Sequence, residues 1–198
     1  MTDSETLVDQ DQRWQLADII ALFDGLFADT YQTRLIRGAD EPLYRPADVQ
    51  TPYHQVIFAH GFYASALHEI SHWCIAGAKR RMLEDYGYWY EPDGRDAVQQ
   101  SAFEAVEVAP QALESLLTQA CGRTFHVSVD NLGGEAEVDR GGFAAKVQQR
   151  AERYVEEGLP LRAGALVAAL AAFYRDGASL ADAISQGRQR LDADERHS

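Results

Sequence analysis

The chain has 198 residues, of which 31 are acidic and 18 are basic, so its formal net charge is −13. This length is typical of one domain with enough chain to bury a core. The acidic excess disfavours a broad nucleic-acid surface, because phosphate binding requires clustered cations. The sequence has no run of about 18 consecutive apolar residues, so we expect no membrane-spanning helix.

The two ends and the cysteines indicate where the protein works. Residues 1–15 are acidic and lack the basic and apolar regions of a signal peptide, so we expect a cytoplasmic protein. Cys74 and Cys121 fit a reducing compartment and are predicted to be free thiols. We expect a single domain over 1–198, with frayed tails at 1–13 and 191–198.

The first part of the chain is predicted to contain a helix and then short strands. Apolar residues at helical spacing predict a first helix from about Asp11 to Ala28. Three prolines between Thr30 and Pro52 favour short strands and turns, and Gln55–Ala59 is predicted to be a buried strand. A helix of about Phe62–Ala76 follows, with Gly77 as its C-cap.

The second part is predicted to be mainly helical. A helix is expected over Ala97–Ala120, with a kink or a restart at Pro110, and a strand over Thr124–Val129. Three further helices are predicted at Gly142–Glu157, Ala163–Tyr174 and Ser179–Arg190. The expected fold class is α+β, a helix-rich single domain with a small sheet.

A complete His-Glu-x-x-His signature, His68-Glu69-Ile70-Ser71-His72, lies in the middle of the predicted helix 62–76. Histidines four residues apart share one face of a helix, so both imidazoles can bind one divalent ion while Glu69 points at the same site. The signature therefore predicts a metal site on a zincin-like helix. Cys74 is predicted to point away from the ion.

Two histidines alone would bind a metal weakly, so a third ligand should come from a later helix. Glu107 is the first choice and Glu104, one turn earlier on the same face, is the main competitor. Three further histidines are weaker candidates for the third ligand: His54, His60 and His126.

This ligand set is compatible with two chemistries. Zinc with an open position acidifies a bound water, and Glu69 can then act as general base in hydrolysis. Iron(II) with the same three ligands forms a facial triad that leaves positions open for dioxygen and substrate. The ligand set alone does not identify which of the two metals is bound.

An aromatic run, Tyr86–Tyr90, precedes a Pro-Asp-Gly turn that ends in Arg95 and Asp96. The run is either the core of a strand or the rim of a pocket. Arg95 and Asp96 are candidates for shaping substrate access, and an ordinary surface turn is the alternative interpretation.

Two segments, 57–77 and 87–96, resemble the bacterial elongation factor P hydroxylase family. The resemblance extends over about Leu22–Leu170, and its further matches are Asp29, Thr33–Ile36, Phe103-Glu104, Val106–Val108, Pro110–Ala112, Val127-Ser128 and Asp130–Leu132. The family resemblance implies hydroxylation of the β-lysylated lysine of elongation factor P. The residues before Trp14 and the alanine-rich C-terminal third match the family poorly.

The resemblance also implies roles for the site residues. His68, His72 and Glu107 would bind one divalent ion, with Fe(II) expected for activity and zinc possible in the purified protein. Dioxygen would be the cosubstrate, and the electron donor, 2-oxoglutarate or an external reductant, stays open. Glu69 would orient a metal-bound molecule or pair with the cationic lysine side chain.

Two other classes of function stay open from the sequence alone. A zinc metallopeptidase or amidase could use the same His-Glu-x-x-His residues. A non-catalytic binding module could retain the metal for structure, in which case removing a ligand would unfold the protein.

Overall fold

The structure, a computed structural model, describes residues 13–84, 96–129 and 139–195. Within these ranges the elements are α1 (Leu16–Phe27), β1 (Thr33–Arg37), β2 (Leu43–Arg45), β3 (His54–Phe58), α2 (Tyr63–Ile75), a short 3-10 helix (Arg80–Met82), α3 (Ala97–Ala120), α4 (Arg140–Glu157), α5 (Leu161–Tyr174) and α6 (Leu180–Glu195). The described chain is a helix-rich α+β domain, as the sequence predicted.

The three strands form one sheet in the order β1-β3-β2. β1 runs parallel to β3, with Leu35 opposite Val56, and β2 runs antiparallel to β3, with Tyr44 also opposite Val56. After β3 the chain turns through His60 and Gly61, both with positive φ (54° and 67°), and enters α2. The central strand therefore leads directly into the helix that carries the His-Glu-x-x-His residues.

The apolar core is built around α1. Its residues Ile19, Leu22, Phe23, Leu26 and Phe27 recur at helical spacing and are all buried. The rings of Phe23 and Phe27 lie edge-on or tilted against each other and against the ring of Trp73 in α2, with centroids 4.9–5.1 Å apart. Burial of a phenylalanine side chain contributes roughly 1.5–3 kcal/mol, so this cluster anchors α2 to the core.

Small residues let α5 and α6 approach closely. Ala163, Ala165 and Ala169 of α5 have no exposed surface. A Cβ at Gly187 of α6 would lie 2.6 Å from Leu26 Cδ2 and 2.8 Å from the Ala165 carbonyl oxygen. Only glycine fits at this crossing without moving a helix.

The predicted C-cap of α2 needs correction. α2 ends with Ala76 in extended backbone (φ −60°, ψ 123°), so Gly77 is not a left-handed C-cap. The free carbonyls at this end accept hydrogen bonds from arginine side chains, Arg81 to Ala76 and Arg162 to Trp73, Cys74 and Ala76.

α3 contains Pro110 and continues through it without the restart that the sequence suggested. Proline removes the hydrogen bond to the carbonyl of Val106. Val106 is more than half exposed and lines a cavity, so water can solvate that carbonyl.

The predicted strand at Thr124–Val129 is wrong, since these residues join no strand in the described part of the chain. A side chain takes the place of a neighbouring strand: the Gln111 amide accepts a hydrogen bond from Ser128 N (2.9 Å) and donates to Ser128 O (2.7 Å). α6 continues to Glu195 rather than ending near Arg190, and Leu191 is buried, so residues 191–195 are helical rather than frayed. The aromatic run Tyr86–Tyr90 lies outside the described residues.

Both cysteines are buried free thiols, as predicted. Burial raises the pKa of Cys74 to about 12 and that of Cys121 to about 11. Among the described residues, no helix is long and apolar enough to cross a membrane.

Candidate metal centre

The His-Glu-x-x-His residues lie in α2, between the core and a cavity. Ala66, Leu67 and Ile70 on one face of α2 are buried, which directs His68 and His72 towards the neighbouring helix α3. About a quarter of each histidine side chain stays exposed, 26% for His68 and 30% for His72. The helix thus presents both imidazoles from a rigid support.

Glu107 of α3 completes a compact group with these histidines. Its Oε1 lies 3.2 Å from His72 Nε2, its Oε2 lies 3.6 Å from His68 Nε2, and the two Nε2 atoms are 3.2 Å apart. A divalent ion with bonds of about 2.0–2.2 Å separates neighbouring ligand atoms by roughly 3.0–3.5 Å. Among the described residues, this is the group of His, Cys, Asp and Glu side chains that could hold a metal.

Glu107 is held in place by a polar neighbour. Its side chain is 2% exposed, and Gln111 Nε2 donates a hydrogen bond to Glu107 Oε2 (3.3 Å). Gln111 is itself fixed by its two hydrogen bonds to the Ser128 backbone. The irregular segment 124–129 therefore helps to orient the carboxylate through Gln111.

Glu114, two turns after Glu107 in α3, is a site residue that sequence reasoning missed. His68 Nδ1 donates a hydrogen bond to Glu114 Oε2 (2.9 Å). The signal in the sequence was the spacing, because residues seven apart share one face of a helix. Glu107 and Glu114 thus contact the same imidazole from its two nitrogens.

The carboxylates make this site favour a positive charge. Burial opposes a charged ring at His68, but the hydrogen bond and charge of Glu114, together with the charges of Glu107 and Glu69, raise the pKa of His68 to about 10. Burial also raises the pKa of the Glu69 carboxyl, against the opposing effect of His68 and His72. The same carboxylate charges would favour a divalent cation, which would replace the proton on the ring nitrogen that binds it.

A cavity of about 390 Å³ opens beside this group. Its walls are mostly apolar, with Glu69, His72 and Glu107 on one side and Arg80 and Arg81 also in the lining. The apolar side chains that line it are Leu43, Val56, Trp73, Ile75, Val106 and Pro110. Glu69 therefore faces the same space as the candidate ligands.

The competing ligand candidates lie elsewhere. Glu104 accepts hydrogen bonds from Gln100 Nε2 (3.4 Å) and Lys146 Nζ (3.5 Å), which directs it towards α4. His54, in β3, accepts a hydrogen bond from Ala47 N (3.0 Å), and His60 and His126 are exposed in loops. The described residues therefore bring Glu107, and not Glu104 or these histidines, to His68 and His72.

The two residues predicted to shape substrate access have different outcomes. Arg95 lies outside the described residues. Asp96 is the N-cap of α3, where its Oδ1 accepts a hydrogen bond from Gln99 N (2.8 Å) and its own N donates to Gln99 Oε1 (2.9 Å). Asp96 thus has a structural role, and its part in substrate access stays a prediction.

The chain matches a known protein family over most of its length. The family of elongation factor P hydroxylases matches residues 22–183. The chain belongs to the elongation factor P hydroxylase family. The match extends 13 residues beyond the region, about Leu22–Leu170, over which the sequence resembled this family.

A curated relative has a high sequence identity to this chain. The chain is 52% identical to the elongation factor P lysine hydroxylase of Haemophilus influenzae over 160 residues, which is 81% of this chain and 89% of that protein. The candidate metal residues and the cavity beside them lie within the span that matches the elongation factor P hydroxylase family.

Proposed function

We propose that this protein hydroxylates the β-lysylated lysine of elongation factor P at a metal centre formed by His68, His72 and Glu107. Family membership supports the reaction and the protein substrate, since the relative is an elongation factor P lysine hydroxylase. The observation that supports the metal centre is that the two imidazole Nε2 atoms and the carboxylate oxygens of buried Glu107 lie 3.2–3.6 Å from one another, at the edge of an apolar cavity.

Iron(II) is the metal that fits this proposal, because it activates dioxygen at the positions that a two-histidine, one-carboxylate triad leaves open. Zinc has no accessible redox step and would not support insertion of oxygen into a C–H bond. His68, His72 and Glu107 would hold the ion. Because His72 and Glu107 line the cavity, the side chain to be hydroxylated would approach from there.

The cavity suits a long side chain with a cationic end. Its apolar walls, including Val56 and Trp73, can pack against the methylene groups of a modified lysine. Glu69 lies in the same wall and is partly buried, so its carboxylate would pair with an ammonium group better than a solvated carboxylate could. We assign Glu69 this orienting role in preference to general-base hydrolysis.

The test is the mass of elongation factor P after reaction. Anaerobically purified protein is loaded with Fe(II) and given dioxygen, reductant and β-lysylated factor, with and without 2-oxoglutarate. We expect a gain of one oxygen atom on the modified lysine, and no gain with the His72→Ala variant or with zinc alone. The two arms with and without 2-oxoglutarate identify the electron donor.

Three results would contradict this function. The first is no mass gain by the iron-loaded protein on factor that the Haemophilus influenzae relative still hydroxylates. The second is protein cleavage by the zinc form that Glu69→Gln abolishes, which would indicate a peptidase. The third is unfolding of His72→Ala, which would indicate a metal retained for structure.

A further inference from the structure

We propose that Glu114 is a positioning residue that fixes the His68 ring for metal binding. The inference rests on the metal centre of the proposed function and adds a residue to it. Glu114 is not part of the group that could hold the ion, which is His68, His72 and Glu107. It acts through His68, and its removal is expected to weaken metal binding without removing a ligand.

The geometry of α3 supports this role. Glu107 and Glu114 are seven residues apart and lie on the same face of the helix, one beside each nitrogen of the His68 ring. Glu107 Oε2 lies 3.6 Å from Nε2, whereas Glu114 Oε2 lies 2.9 Å from Nδ1. Side chains of one helix therefore lie beside both nitrogens of one imidazole.

The chemistry of the hydrogen bond determines which nitrogen can bind metal. An ionised carboxylate has no proton to donate, so the proton between the two groups belongs to His68 Nδ1. The lone pair of the neutral ring is then on Nε2, which points at His72 Nε2 and Glu107. Carboxylates that accept this second hydrogen bond orient a ligand histidine and increase its basicity.

The burial of Glu114 is consistent with a role at His68. The residue is 9% exposed, and among the described residues its hydrogen-bond and ion-pair partner is His68. A buried carboxylate is unfavourable unless a positive charge compensates it. A divalent ion on the other nitrogen of His68 would supply that charge through the ring. Among the described residues, no carboxylate makes the equivalent contact with His72 Nδ1, so the effect should be specific to His68.

The first test measures metal affinity by competition between the full-length protein and a chelator, with Co²⁺ and Zn²⁺ as probes. We expect Glu114→Ala to bind about 10–100-fold more weakly than the parent protein. Glu114→Gln keeps an oxygen that accepts the Nδ1 proton, so its loss should be smaller. Glu104→Ala is the matched control, because Glu104 lies on the same helix but contacts Gln100 and Lys146, and its affinity should be unchanged.

The second test uses nuclear magnetic resonance of the zinc-loaded protein with ¹⁵N-labelled histidine. We expect His68 to carry its proton on Nδ1 and to bind zinc through Nε2. The Nδ1 proton should stay protected from exchange with water in Glu114→Gln and should lose that protection in Glu114→Ala. If Glu114→Ala fails to fold, the graded loss in Glu114→Gln and the spectrum of the parent protein still decide the question.

The proposal is overturned if both Glu114 variants bind metal as tightly as the parent protein, or if His68 binds zinc through Nδ1. Either result leaves the proposed hydroxylation intact, because the parent protein would still bind metal and add oxygen. Failure of the parent protein itself to bind any metal is a different outcome, since it removes the metal centre on which both proposals depend.

Discussion

Two buried interfaces of this molecule differ in almost every chemical respect. Where α6 crosses α1 and α5, the buried contact surface is apolar and includes Ala165, Ala169, Leu26 and Gly187. Where α3 meets α2, the buried or half-buried side chains include His68, His72, Glu107 and Glu114. The charged residue at the first interface, Arg188 of α6, lies at its exposed edge, whereas carboxylates lie inside the second.

The difference separates stability from function. Apolar burial lowers the free energy of the folded state without any ligand. Buried carboxylates raise that free energy unless a cation compensates them. The α1, α5 and α6 region should therefore stabilise the fold with or without a metal ion. The α2–α3 interface should reach full stability only with a metal ion bound.

The largest change in the free energy of unfolding is expected from a substitution in the apolar region. Phe23→Ala removes a ring with no exposed surface that packs against Phe27 and Trp73, so the free energy of unfolding should fall by about 3–5 kcal/mol. Denaturant titration of the metal-free protein measures this change. Phe62→Ala, at a side chain that is 65% exposed, is the control and should change it by less than about 0.5 kcal/mol. Equal effects of the two variants would contradict the placement of the core.

A smaller effect comes from the metal at the polar interface. An ion at 100 times its dissociation constant should raise the free energy of unfolding by about 2.7 kcal/mol. The same metal should not stabilise His72→Ala, which loses one ligand. Thermal unfolding with and without Co²⁺ measures both. Equal stabilisation of the two proteins would show that the ion binds somewhere else.

The smallest effect tests the support of Glu107 by Gln111. Gln111→Leu removes the 3.3 Å hydrogen bond to the carboxylate together with the two hydrogen bonds to the Ser128 backbone. The bond to the carboxylate is worth about 1 kcal/mol, so metal binding should weaken at least roughly fivefold. Chelator competition measures the affinity. Ser115→Ala removes a hydroxyl of the same helix whose hydrogen-bond partner, among the residues that the structure describes, is the Ala112 carbonyl, and it should leave metal affinity unchanged. Identical affinity of Gln111→Leu and the parent protein would rule out this support.

Local patterns in the sequence were sufficient for most of the fold. The apolar spacing of α1 and the β-branched run of β3 matched the elements because burial and propensity act on the same residues there. Residues 124–129 were wrongly predicted to be a strand, because the Ser128 backbone pairs with the Gln111 side chain, 17 positions away, and not with a neighbouring strand. A side chain that replaces a strand leaves no periodic signal in the sequence.

The site was predictable to the extent that its residues share one element. His68, Glu69 and His72 follow from helical spacing alone. Glu107 could be separated from Glu104 only when the packing of α3 on α2 was known, because both lie on neighbouring turns of the same helix. Glu114 was missed because its partner His68 is 46 residues away, and its seven-residue spacing from Glu107 indicated only a shared helix face. The cavity walls come from five separate elements, β2, β3, α2, the 3-10 helix and α3, and no sequence motif spans them.

The most direct measurement of the central claim relates bound iron to product. Protein prepared without metal is titrated anaerobically with Fe(II), and each sample is then given dioxygen, reductant and β-lysylated elongation factor P. We expect the amount of hydroxylated factor to rise in proportion to bound iron and to reach its maximum at one ion per chain. Hydroxylation that does not depend on bound iron, or no hydroxylation at one iron per chain, would contradict a catalytic metal centre at His68, His72 and Glu107.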